Sequence, residues 1–584
     1  MSKITLTING QPVVADEGVT ILEAAQSAGI YIPTLCYHPD LRAEGVCRIC
    51  VVDVKGQRLL QPACAFPVSD GMSVTTHSPR VREARRMIVE LLLANHPQDC
   101  LTCASNQKCE LQKLAKELGI QDVRFRGERK HYEVDDSSPA ILRSPEKCIL
   151  CKRCIRVCHE IQSVGTLSAS GRGWDTEIGP ALGKKLVEAV CVYCGQCINR
   201  CPTGALKAKD PAPEVWEAIY DPAKHVVVQT APAVRAAIGE EFGMPAGSLV
   251  TGQMVTALRM LRFDKVFDTD LAADLTIMEE GSELIKRITE GGVLPLITSC
   301  SPGWIKFIEH FYPDLLPHLS TCKSPQQMFG ALAKTYYAEK AGIDPKDIVV
   351  VSIMPCTAKK FECSRPEMDS SGFQDVDYVL TTREAAGMMK EAGIDLPNLP
   401  KSEFDLPLGI STGAGVIFGT TGGVMEAALR TAYKLITGGE LEDVEIKAVR
   451  GLEGVREAEI EINGLRVKAA VANGLANARK LMEKVRAGEQ YHFIEIMACP
   501  GGCIGGGGQP FPTSPEIRAK RVEAIYTADR GLPLRRSHEN PAVITLYKEF
   551  LGEPLSHKSH ELLHTYYTAR GKRSEREKAR AGVR

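Results

Sequence analysis

Apolar and polar residues alternate near the start of the chain in a pattern that predicts a small sheet. Apolar side chains occupy every second position of residues 4–8, and Asn-Gly follows at 9–10, which is typical of a hairpin turn. Thr20 and Glu23 have the spacing of a capping box, which predicts that a helix begins there. A strand hairpin with one helix indicates a β-grasp domain in residues 1–80.

The pattern then becomes helical and, further along, mixed. Residues 81–135 have apolar residues at helical spacing. After residue 222, β-branched runs such as HVVVQTAP and KDIVVVSIMPC alternate with longer helical stretches, which is typical of an α/β domain with mostly buried strands. We therefore predict a multidomain α/β protein with domains at 1–80, 81–138, 139–210 and 222–515, a further segment at 516–570 and a solvated basic tail at 571–584.

Composition and charge restrict the class of protein. The chain has 584 residues, of which 44% are hydrophobic and 24% charged, and its formal net charge is −1. These values are typical of a soluble globular protein, and they exclude a strong net field that would favour nucleic acid as a partner. The opening MSKITLTINGQ lacks the apolar core of a signal peptide, and no run of 18 apolar residues occurs, so we predict a cytoplasmic protein without a membrane span.

The cysteines indicate metal chemistry. Of the 21 cysteines, 15 lie before residue 202, most of them two or three residues apart. A disulfide framework is the alternative, but it is typical of small secreted domains. The size of this chain, its lack of an export signal and its close C-x2-C pairs favour metal ligation instead.

The first group of cysteines is Cys36, Cys47, Cys50 and Cys64, with ten, two and thirteen residues in the gaps. Four thiolates can hold a 2Fe–2S cluster, and a C-x2-C pair on a tight loop suits the wrapping of such a cluster. A structural zinc ion is the alternative. We predict a 2Fe–2S cluster in this domain.

The second group has only three cysteines, Cys100, Cys103 and Cys109, with His96 four residues before the first. A histidine at this position could simply be the polar end of a helix. Because three thiolates leave one iron of a 4Fe–4S cluster without a ligand, we predict that His96 is the fourth. A neutral imidazole in place of a thiolate should raise the reduction potential of the cluster, as in Rieske centres.

A tandem repeat follows, in which C-x2-C-x2-C-x3-C occurs twice with an offset of 43 residues. It matches the bacterial ferredoxin pattern, where the last cysteine of each half binds the other cluster. The predicted ligands of one 4Fe–4S cluster are Cys148, Cys151, Cys154 and Cys201. Those of the next are Cys191, Cys194, Cys197 and Cys158. Four clusters in one chain can conduct single electrons between a partner and a buried site.

Three later segments carry cysteines in surroundings unlike those of a ferredoxin. They are TSCSPGW (298–304), MPCTAKKFE (354–362) and EIMACPGGCIGGGGQP (495–510). Cys499 and Cys503 would be one turn apart if that stretch is helical. The glycine run lets the backbone approach a bulky cofactor, and a phosphate loop is less favoured because the Lys-Ser/Thr ending is missing.

These segments and the preceding motifs resemble the multi-cluster iron-only (FeFe) hydrogenases over nearly the whole chain. The resemblance implies reversible cleavage or formation of hydrogen at an H-cluster, a 4Fe–4S cluster joined to a diiron unit with carbon monoxide, cyanide and dithiolate ligands. It implies that Cys356, Cys499 and Cys503 are cluster ligands, with Cys503 bridging to the diiron unit, and that Lys359 binds a cyanide. The pocket residues that it implies are Ala231, Pro232, Ser324, Gln326, Met354, Phe418 and Met497.

The resemblance also implies a path for protons. Cys300 matches the position of a free thiol beside the diiron unit, and the positions that follow it in the path match Glu280, Ser320, Glu283 and Arg287. The three charged residues are three and four residues apart, so one face of a helix could present all of them. From spacing alone, a solvated charged face is the alternative.

One position departs from the family pattern. Most members have a cysteine directly after the relay thiol as the fourth cluster ligand, and here that residue is Ser301. We predict that Cys322 supplies the missing ligand. The oxygen of Ser301 and the sulfur of Cys300 are the alternatives.

The resemblance leaves the electron partner open between ferredoxin and flavin- and NAD(P)-binding subunits. No G-x-G-x-x-G follows a strand signal in this chain, so a nicotinamide site would lie on a partner. Residues 516–570 resemble a hydrogenase small subunit that is fused here and wraps the catalytic domain. The alternative functions are a non-catalytic electron-transfer subunit, since residues 1–210 also resemble the cluster arm of respiratory NADH dehydrogenase, a hydrogen sensor and an iron–sulfur assembly factor.

Overall fold

The computed structural model describes residues 2–441, 443–462 and 464–570, so the predicted basic tail at 571–584 lies outside the described residues. The architecture is multidomain α/β, which confirms the predicted fold class. Three small modules precede a large α/β part. We call residues 2–210 the cluster arm and residues 516–570 the C-terminal segment.

The first module is a five-stranded sheet covered by one helix. Its elements are β1 (Lys3–Ile8), β2 (Gln11–Asp16), α1 (Ile21–Ser27), β3 (Val51–Val54), β4 (Gln61–Pro62) and β5 (Ser73–Thr75). The strand order is β2-β1-β5-β3-β4, with β1 antiparallel to β2 and parallel to β5. Thr20 and Glu23 form the predicted capping box at the start of α1.

The second and third modules are mostly loops around cysteines. Their elements are α2 (Pro79–Ala94), α3 (Glu110–Glu117), β6 (Ile141–Arg143), α4 (Arg153–Arg156), β7 (Leu167–Ser170), β8 (Glu177–Pro180), α5 (Gln196–Arg200) and β9 (Leu206–Ala208). The first and last strands of the third module, β6 and β9, form one antiparallel pair, and β7 and β8 form another. The helical pattern of residues 81–135 is confirmed for α2 and α3, whereas residues 118–135 form no helix.

The large part contains two four-stranded sheets. After α6 (Ala212–Tyr220), its elements are β10 (His225–Thr230), α7 (Thr251–Met260), β11 (Lys265–Asp268), α8 (Thr269–Glu290), β12 (Leu296–Ile297), α9 (Pro302–Phe311), α10 (Pro325–Leu332), α11 (Ala338–Ala341), β13 (Ile348–Met354), α12 (Ala358–Glu362), β14 (Tyr378–Thr381), α13 (Thr382–Glu391), α14 (Gly413–Ile417), α15 (Gly423–Thr437), β15 (Val455–Ile462), β16 (Leu465–Asn473), α16 (Leu475–Arg486), β17 (Phe493–Met497), α17 (Pro515–Gly531), α18 (Pro541–Leu546) and α19 (His557–Leu563).

The two sheets are mainly parallel, as the buried β-branched runs predict. One has the order β11-β10-β13-β14 with all strands parallel. The other has the order β12-β17-β16-β15, in which β15 and β16 are antiparallel and the remaining pairs are parallel. The carboxyl ends of β10, β13 and β17 lead into the loops that carry the candidate catalytic residues.

The C-terminal segment packs against the cores of both sheets. Leu546 and Leu563 are buried in the core around the first sheet, and Ile525 in the core beside the second. Within the part of the chain that the structure describes, no helix combines the length and apolar character needed to cross a bilayer.

Asp40 connects three distant parts of the chain. Its carboxylate accepts hydrogen bonds from Arg200 of the third module at 2.7 Å and from Arg518 of the C-terminal segment at 2.7 and 2.9 Å. Burial opposes ionisation, but the bond from Arg518 and the charges of both arginines lower the pKa of Asp40 to about 2. The ion cluster therefore holds the cluster arm against the rest of the protein.

Candidate metal centres and active site

The thiols of the first module lie next to one another. Cys36 interacts with the thiols of Cys47 and Cys64, and Cys50 interacts with the thiol of Cys64. Three of these cysteines are buried and Cys47 is partly exposed. Four converging sulfur atoms fit the ligand set of a 2Fe–2S cluster.

His96 is a buried histidine that precedes the three cysteines of the second module. Its Nδ1 lies 2.7 Å from the carbonyl oxygen of Pro97, while its Nε2 is buried and has no hydrogen-bond partner among the described residues. Burial lowers the pKa of the imidazole, so the ring is neutral near pH 7. Cys109 lies close to Cys103 and Cys100. A buried ring nitrogen without a partner, four residues before the first of these cysteines, fits an iron site, because a metal bond would satisfy that nitrogen.

The tandem repeat forms two cavities of similar volume, about 470 and 450 Å³. The cysteines that line one are Cys148, Cys151, Cys154 and Cys201. Those that line the other are Cys158, Cys191, Cys194 and Cys197. Each cavity thus contains three cysteines of one half of the repeat and the last cysteine of the other half, as the ferredoxin pattern predicts.

The cavity at Cys194 lies against the catalytic loop of residues 499–510. The thiols of Cys194 and Cys499 are electrostatic neighbours, and Gln196 of α5 donates to the carbonyl oxygen of Gly505 at 2.9 Å. A Cβ on Gly507 would lie 2.4 Å from the carbonyl oxygen of Cys194, so only glycine allows this approach. The glycine run therefore lets the third module approach the loop of residues 499–510 closely. Residues 499–503 are not α-helical, so Cys499 and Cys503 are not one helical turn apart.

A cavity of about 680 Å³ opens beyond the carboxyl ends of β10, β13 and β17. Six of the seven predicted pocket residues line it. They are Ala231, Pro232, Gln326, Met354, Phe418 and Met497. Ser324 is buried but does not line the cavity, and its hydroxyl donates a hydrogen bond to Glu362 at 2.8 Å.

Three of the predicted H-cluster cysteines also line this cavity, together with Cys300 and Ser301. Cys356 and Cys503 are both electrostatic neighbours of Cys499, so the three thiols converge. Ser301 precedes α9 but does not cap it with its side chain. Its Oγ instead accepts the backbone N–H of Ala498, next to Cys499, at 3.3 Å.

The cavity does not bring Cys322, the predicted fourth ligand, to the other three cysteines. Cys322 is fully buried in the core around the first sheet and does not line the cavity. Its sulfur lies within 4.8 Å of ligand atoms of Glu283 and His564 instead.

Lys359 reaches the cavity from α12. Its ammonium group donates to Glu362 at 2.9 Å and to the carbonyl oxygen of Cys300 at 3.2 Å. Glu362 also accepts a hydrogen bond from Gln326 at 3.1 Å. Glu362 thus binds two pocket side chains, Lys359 and Gln326, and also Ser324. The sequence did not predict this role, because nothing in the spacing distinguishes Glu362 from other charged residues of a helix.

Hydrogen bonds link the predicted relay residues from Glu280 to Arg287, and Cys300 lies near Glu280. Burial and the nearby Glu280 raise the pKa of Cys300, so the thiol keeps its proton. Glu280 is buried, and its carboxyl group forms a side-chain hydrogen bond with Ser320. The hydroxyl of Ser320 also donates a hydrogen bond to Glu283 at 3.1 Å. Arg287 donates to Glu283 at 2.6 Å. The three charged residues lie on α8, in agreement with their spacing in the sequence.

The comparisons with known families cover almost the whole chain. Residues 224–507 match the model described as iron only hydrogenase large subunit, C-terminal domain, and residues 515–570 match the iron hydrogenase small subunit. The cluster arm matches a 2Fe-2S iron-sulfur cluster binding domain (1–79), an NADH-ubiquinone oxidoreductase-G iron-sulfur binding region (85–124) and the ferredoxin-like domain of NADH-quinone oxidoreductase subunit 3 (138–207).

Two curated relatives are similar over their full length. The NADP-reducing hydrogenase subunit HndD of Solidesulfovibrio fructosivorans is 53% identical over 98% of this chain and 100% of its own. Iron hydrogenase 1 of Clostridium pasteurianum is 43% identical over 96% of this chain and 99% of its own. A solved structure of the FeFe-hydrogenase HydA1 from Chlamydomonas reinhardtii is 48% identical with a TM-score of 0.56, covering 62% of this chain and all of that one.

Proposed function

The chain belongs to the iron-only (FeFe) hydrogenases, and on this basis we propose that it is the catalytic subunit of an NADP-linked hydrogenase complex. The observation that carries the proposal is the full-length similarity to an NADP-reducing hydrogenase subunit. A cluster arm similar to NADH dehydrogenase modules supports it, because such an arm suits electron exchange with a flavin- and NAD(P)-binding subunit. Ferredoxin is the other electron partner that this arm could serve.

We propose one 2Fe–2S and three accessory 4Fe–4S clusters, held by the cysteines and His96 grouped above. The cluster of Cys158, Cys191, Cys194 and Cys197 is proposed as the last one before the H-cluster, because Cys194 is an electrostatic neighbour of Cys499. Electrons would therefore enter the catalytic domain where α5 contacts the glycine run.

For the H-cluster we propose Cys356, Cys499 and Cys503 as sulfur ligands, with Ser301 in the fourth position. Three converging thiols with the Ser301 hydroxyl in the same cavity support this set. When bound, the diiron unit supplies the heterolytic cleavage and formation of hydrogen. Lys359 offers an ammonium donor for an anionic ligand of that unit, and Met354, Met497 and Phe418 exclude water from it.

Protons are proposed to move between the cavity and the surface through Cys300, Glu280, Ser320 and Glu283. The chemistry of the row supports this path, since burial and the charge of Glu283 raise the pKa of Glu280 to about 8 despite the Ser320 hydroxyl. A carboxyl group with this pKa can both hold and release a proton near neutral pH, which is the condition for an efficient relay group.

The test uses the full-length protein after its H-cluster has been installed. We expect infrared bands of carbonyl and cyanide ligands, hydrogen evolution from reduced viologen, and NADP reduction by hydrogen only after flavin-containing partner subunits are added. Bands without any hydrogen turnover would contradict a catalytic role. Turnover with ferredoxin but none with NADP in the reconstituted complex would contradict the proposed partner.

A further inference from the structure

We propose that Lys306 of α9 is the counter-charge of the accessory cluster whose ligand set includes Cys191, and that its positive charge raises the reduction potential of this cluster. The inference rests on the proposed function, since it takes that cluster as the last one before the H-cluster. It gives a lysine of the catalytic domain a role in electron transfer that is separate from the chemistry of hydrogen.

Lys306 is buried against the loop that carries the cysteines of this cluster. Its side chain is only 5% exposed, and its ammonium nitrogen lies 3.7 Å from the ring centroid of Tyr193 and 4.7 Å from that of Phe361. Tyr193 stands between two of the proposed ligands in the segment CVYC (191–194). Burial raises the pKa of Cys191 to about 11, and the charge of Lys306 is the largest influence that lowers it. The ammonium group is therefore an electrostatic neighbour of a proposed cluster ligand.

Among the described residues, the charge of Lys306 has no carboxylate partner of its own. Glu309 is near enough to act on it, but Glu309 already binds Arg365, at 2.6 and 3.2 Å, and Arg570. Burial lowers the pKa of Lys306 to about 8 and the charge of Cys191 opposes this, so the side chain is mostly an ammonium ion at pH 7. A buried cation is costly unless an anion compensates it. A cluster held by four thiolates fits, because it carries a net negative charge.

The start of α9 brings Lys306 to this position. The helix begins at Pro302, directly after Ser301, and both residues line the cavity of the proposed H-cluster. A Cβ on Gly303 would lie only 3.7 Å from the Cβ of Cys194, so the first turn of the helix lies against the cluster loop. The same helix thus contacts the H-cluster cavity and the accessory cluster.

The other cluster of the third module has cations that are already paired. Arg153 is an electrostatic neighbour of its ligand Cys151, but it donates to both oxygens of Glu110 at 2.6 and 2.9 Å. Arg143 acts on another ligand of that cluster and pairs with Glu177 at 2.8 Å. A cation that is paired with a carboxylate changes the net charge around a cluster little. The cluster nearer the H-cluster is therefore the one with a cation that lacks a carboxylate partner.

A positive charge beside a cluster stabilises its reduced form, because reduction adds one negative charge. The potential of an iron–sulfur cluster depends on its net charge, on hydrogen bonds to its sulfurs and on burial. One electron enters from the rest of the cluster arm and one leaves for the H-cluster, with no proton or other reactant. A raised potential makes this cluster the preferred place for an electron that waits to enter the H-cluster.

The experiment is a redox titration at pH 7, followed by electron paramagnetic resonance, of the full-length protein with all its clusters installed. Cys191→Ser identifies the signal of this cluster as the one that changes. Lys306→Met removes the charge and keeps an apolar side chain, so the equilibrium constant for reduction should fall at least about tenfold, which corresponds to about 59 mV for one electron. Lys306→Arg keeps the charge, and its constant should stay within about threefold of the original.

Lys468→Met is the matched control. Lys468 also lies over a tyrosine ring, 4.4 Å from the centroid of Tyr491, but it pairs with Glu489 at 2.9 Å. The potentials of all clusters should stay unchanged in this variant.

An unchanged potential in Lys306→Met, or an equal shift of every accessory cluster, would overturn the inference. If Lys306→Met does not bind the cluster, Lys306→Arg decides: the original potential supports the inference, and a constant lowered tenfold overturns it. Missing carbonyl and cyanide bands in the unaltered protein would instead contradict the proposed function, and the shift caused by Lys306→Met would still be measurable.

Discussion

Glu280 has a buried carboxyl group whose Oε1 lacks a hydrogen-bond partner among the described residues. Burial, opposed by the Ser320 hydroxyl and reinforced by Glu283 and Glu495, raises its pKa from 4.5 to about 8. The folded protein thus keeps a proton that the unfolded chain loses above pH 4.5. Stability is therefore fully present below that pH and falls as pH rises through about 8.

Replacing Glu280 should separate activity from stability. Glu280→Gln removes the titrating group, so the variant should gain up to about 5 kcal/mol at pH 8 relative to the original protein. Its hydrogen-evolution rate should fall at least about a hundredfold, because an amide cannot relay a proton. Thermal unfolding at pH 5 and pH 8 measures the first effect and the viologen assay the second. Equal pH dependence in both proteins would contradict the assignment.

Ser301 permits a test of the proposed ligand set. Ser301→Ala removes the proposed fourth ligand and should lower hydrogen evolution at least about tenfold. Ser301→Cys supplies a softer sulfur ligand, so the cluster should remain and its potential should rise, as spectroelectrochemical infrared titration would show.

Cys322→Ala is the matched control for Ser301, because Cys322 lies outside the cavity. Its infrared bands and cluster potential should equal those of the original protein. If Cys322→Ala loses the cluster and Ser301→Ala keeps it, the sequence-based ligand assignment is right and the one from the cavity is wrong.

At the scale of elements, α8 carries the charged residues of the proposed relay and also contacts the C-terminal segment. Glu279 on α8 accepts hydrogen bonds from Tyr547 and the backbone of Leu555, and its carboxylate also contacts Ser559 and His564. Burial alone would raise the pKa of Glu279, but these bonds lower it, so the carboxylate is ionised. One side chain thus anchors α18 and α19 to α8.

Removing this anchor should loosen the C-terminal segment. Glu279→Ala leaves several buried donors without an acceptor and should cost about 3 kcal/mol, whereas Glu279→Gln keeps one acceptor oxygen and should cost less. Proteolysis of residues 516–570 would measure the difference. Glu561→Ala, an exposed residue of α19, is the control and should cost less than about 0.5 kcal/mol.

The secondary-structure elements also show which features could be predicted from the sequence. The family and the fold class are confirmed, because both depend on local spacing: a cysteine repeat, β-branched runs and glycine loops. Glu280, Glu283 and Arg287 lie on one helix as predicted, since the period of a helix is fixed. The position of Cys322 could not be predicted from spacing, because it depends on pairing with His564, 242 residues later, which leaves no periodic signal.

At the scale of the whole molecule, the Asp40 ion cluster holds the arm in place. Asp40→Ala leaves the buried guanidinium groups of Arg200 and Arg518 without their carboxylate and should cost about 3–5 kcal/mol. Electron transfer through the first module should slow, while direct reduction of the catalytic domain by viologen should not.

Asp16→Ala is the control for this effect, because its ion pair with Lys3 is exposed and such pairs contribute about 0–1 kcal/mol. Thermal unfolding followed by the visible absorption of bound clusters would detect the difference. Equal melting of the two variants would mean that Asp40 does not hold the arm.

The same ion cluster has a consequence for biosynthesis. Asp40 and Arg518 are 478 positions apart, so at about 5–20 residues per second roughly 24 to 96 s separate their exit from the ribosome. During that interval the first module exists without the Arg518 contact of its ion cluster. The complete ion cluster can therefore form only near the end of synthesis, after Arg518 has left the ribosome.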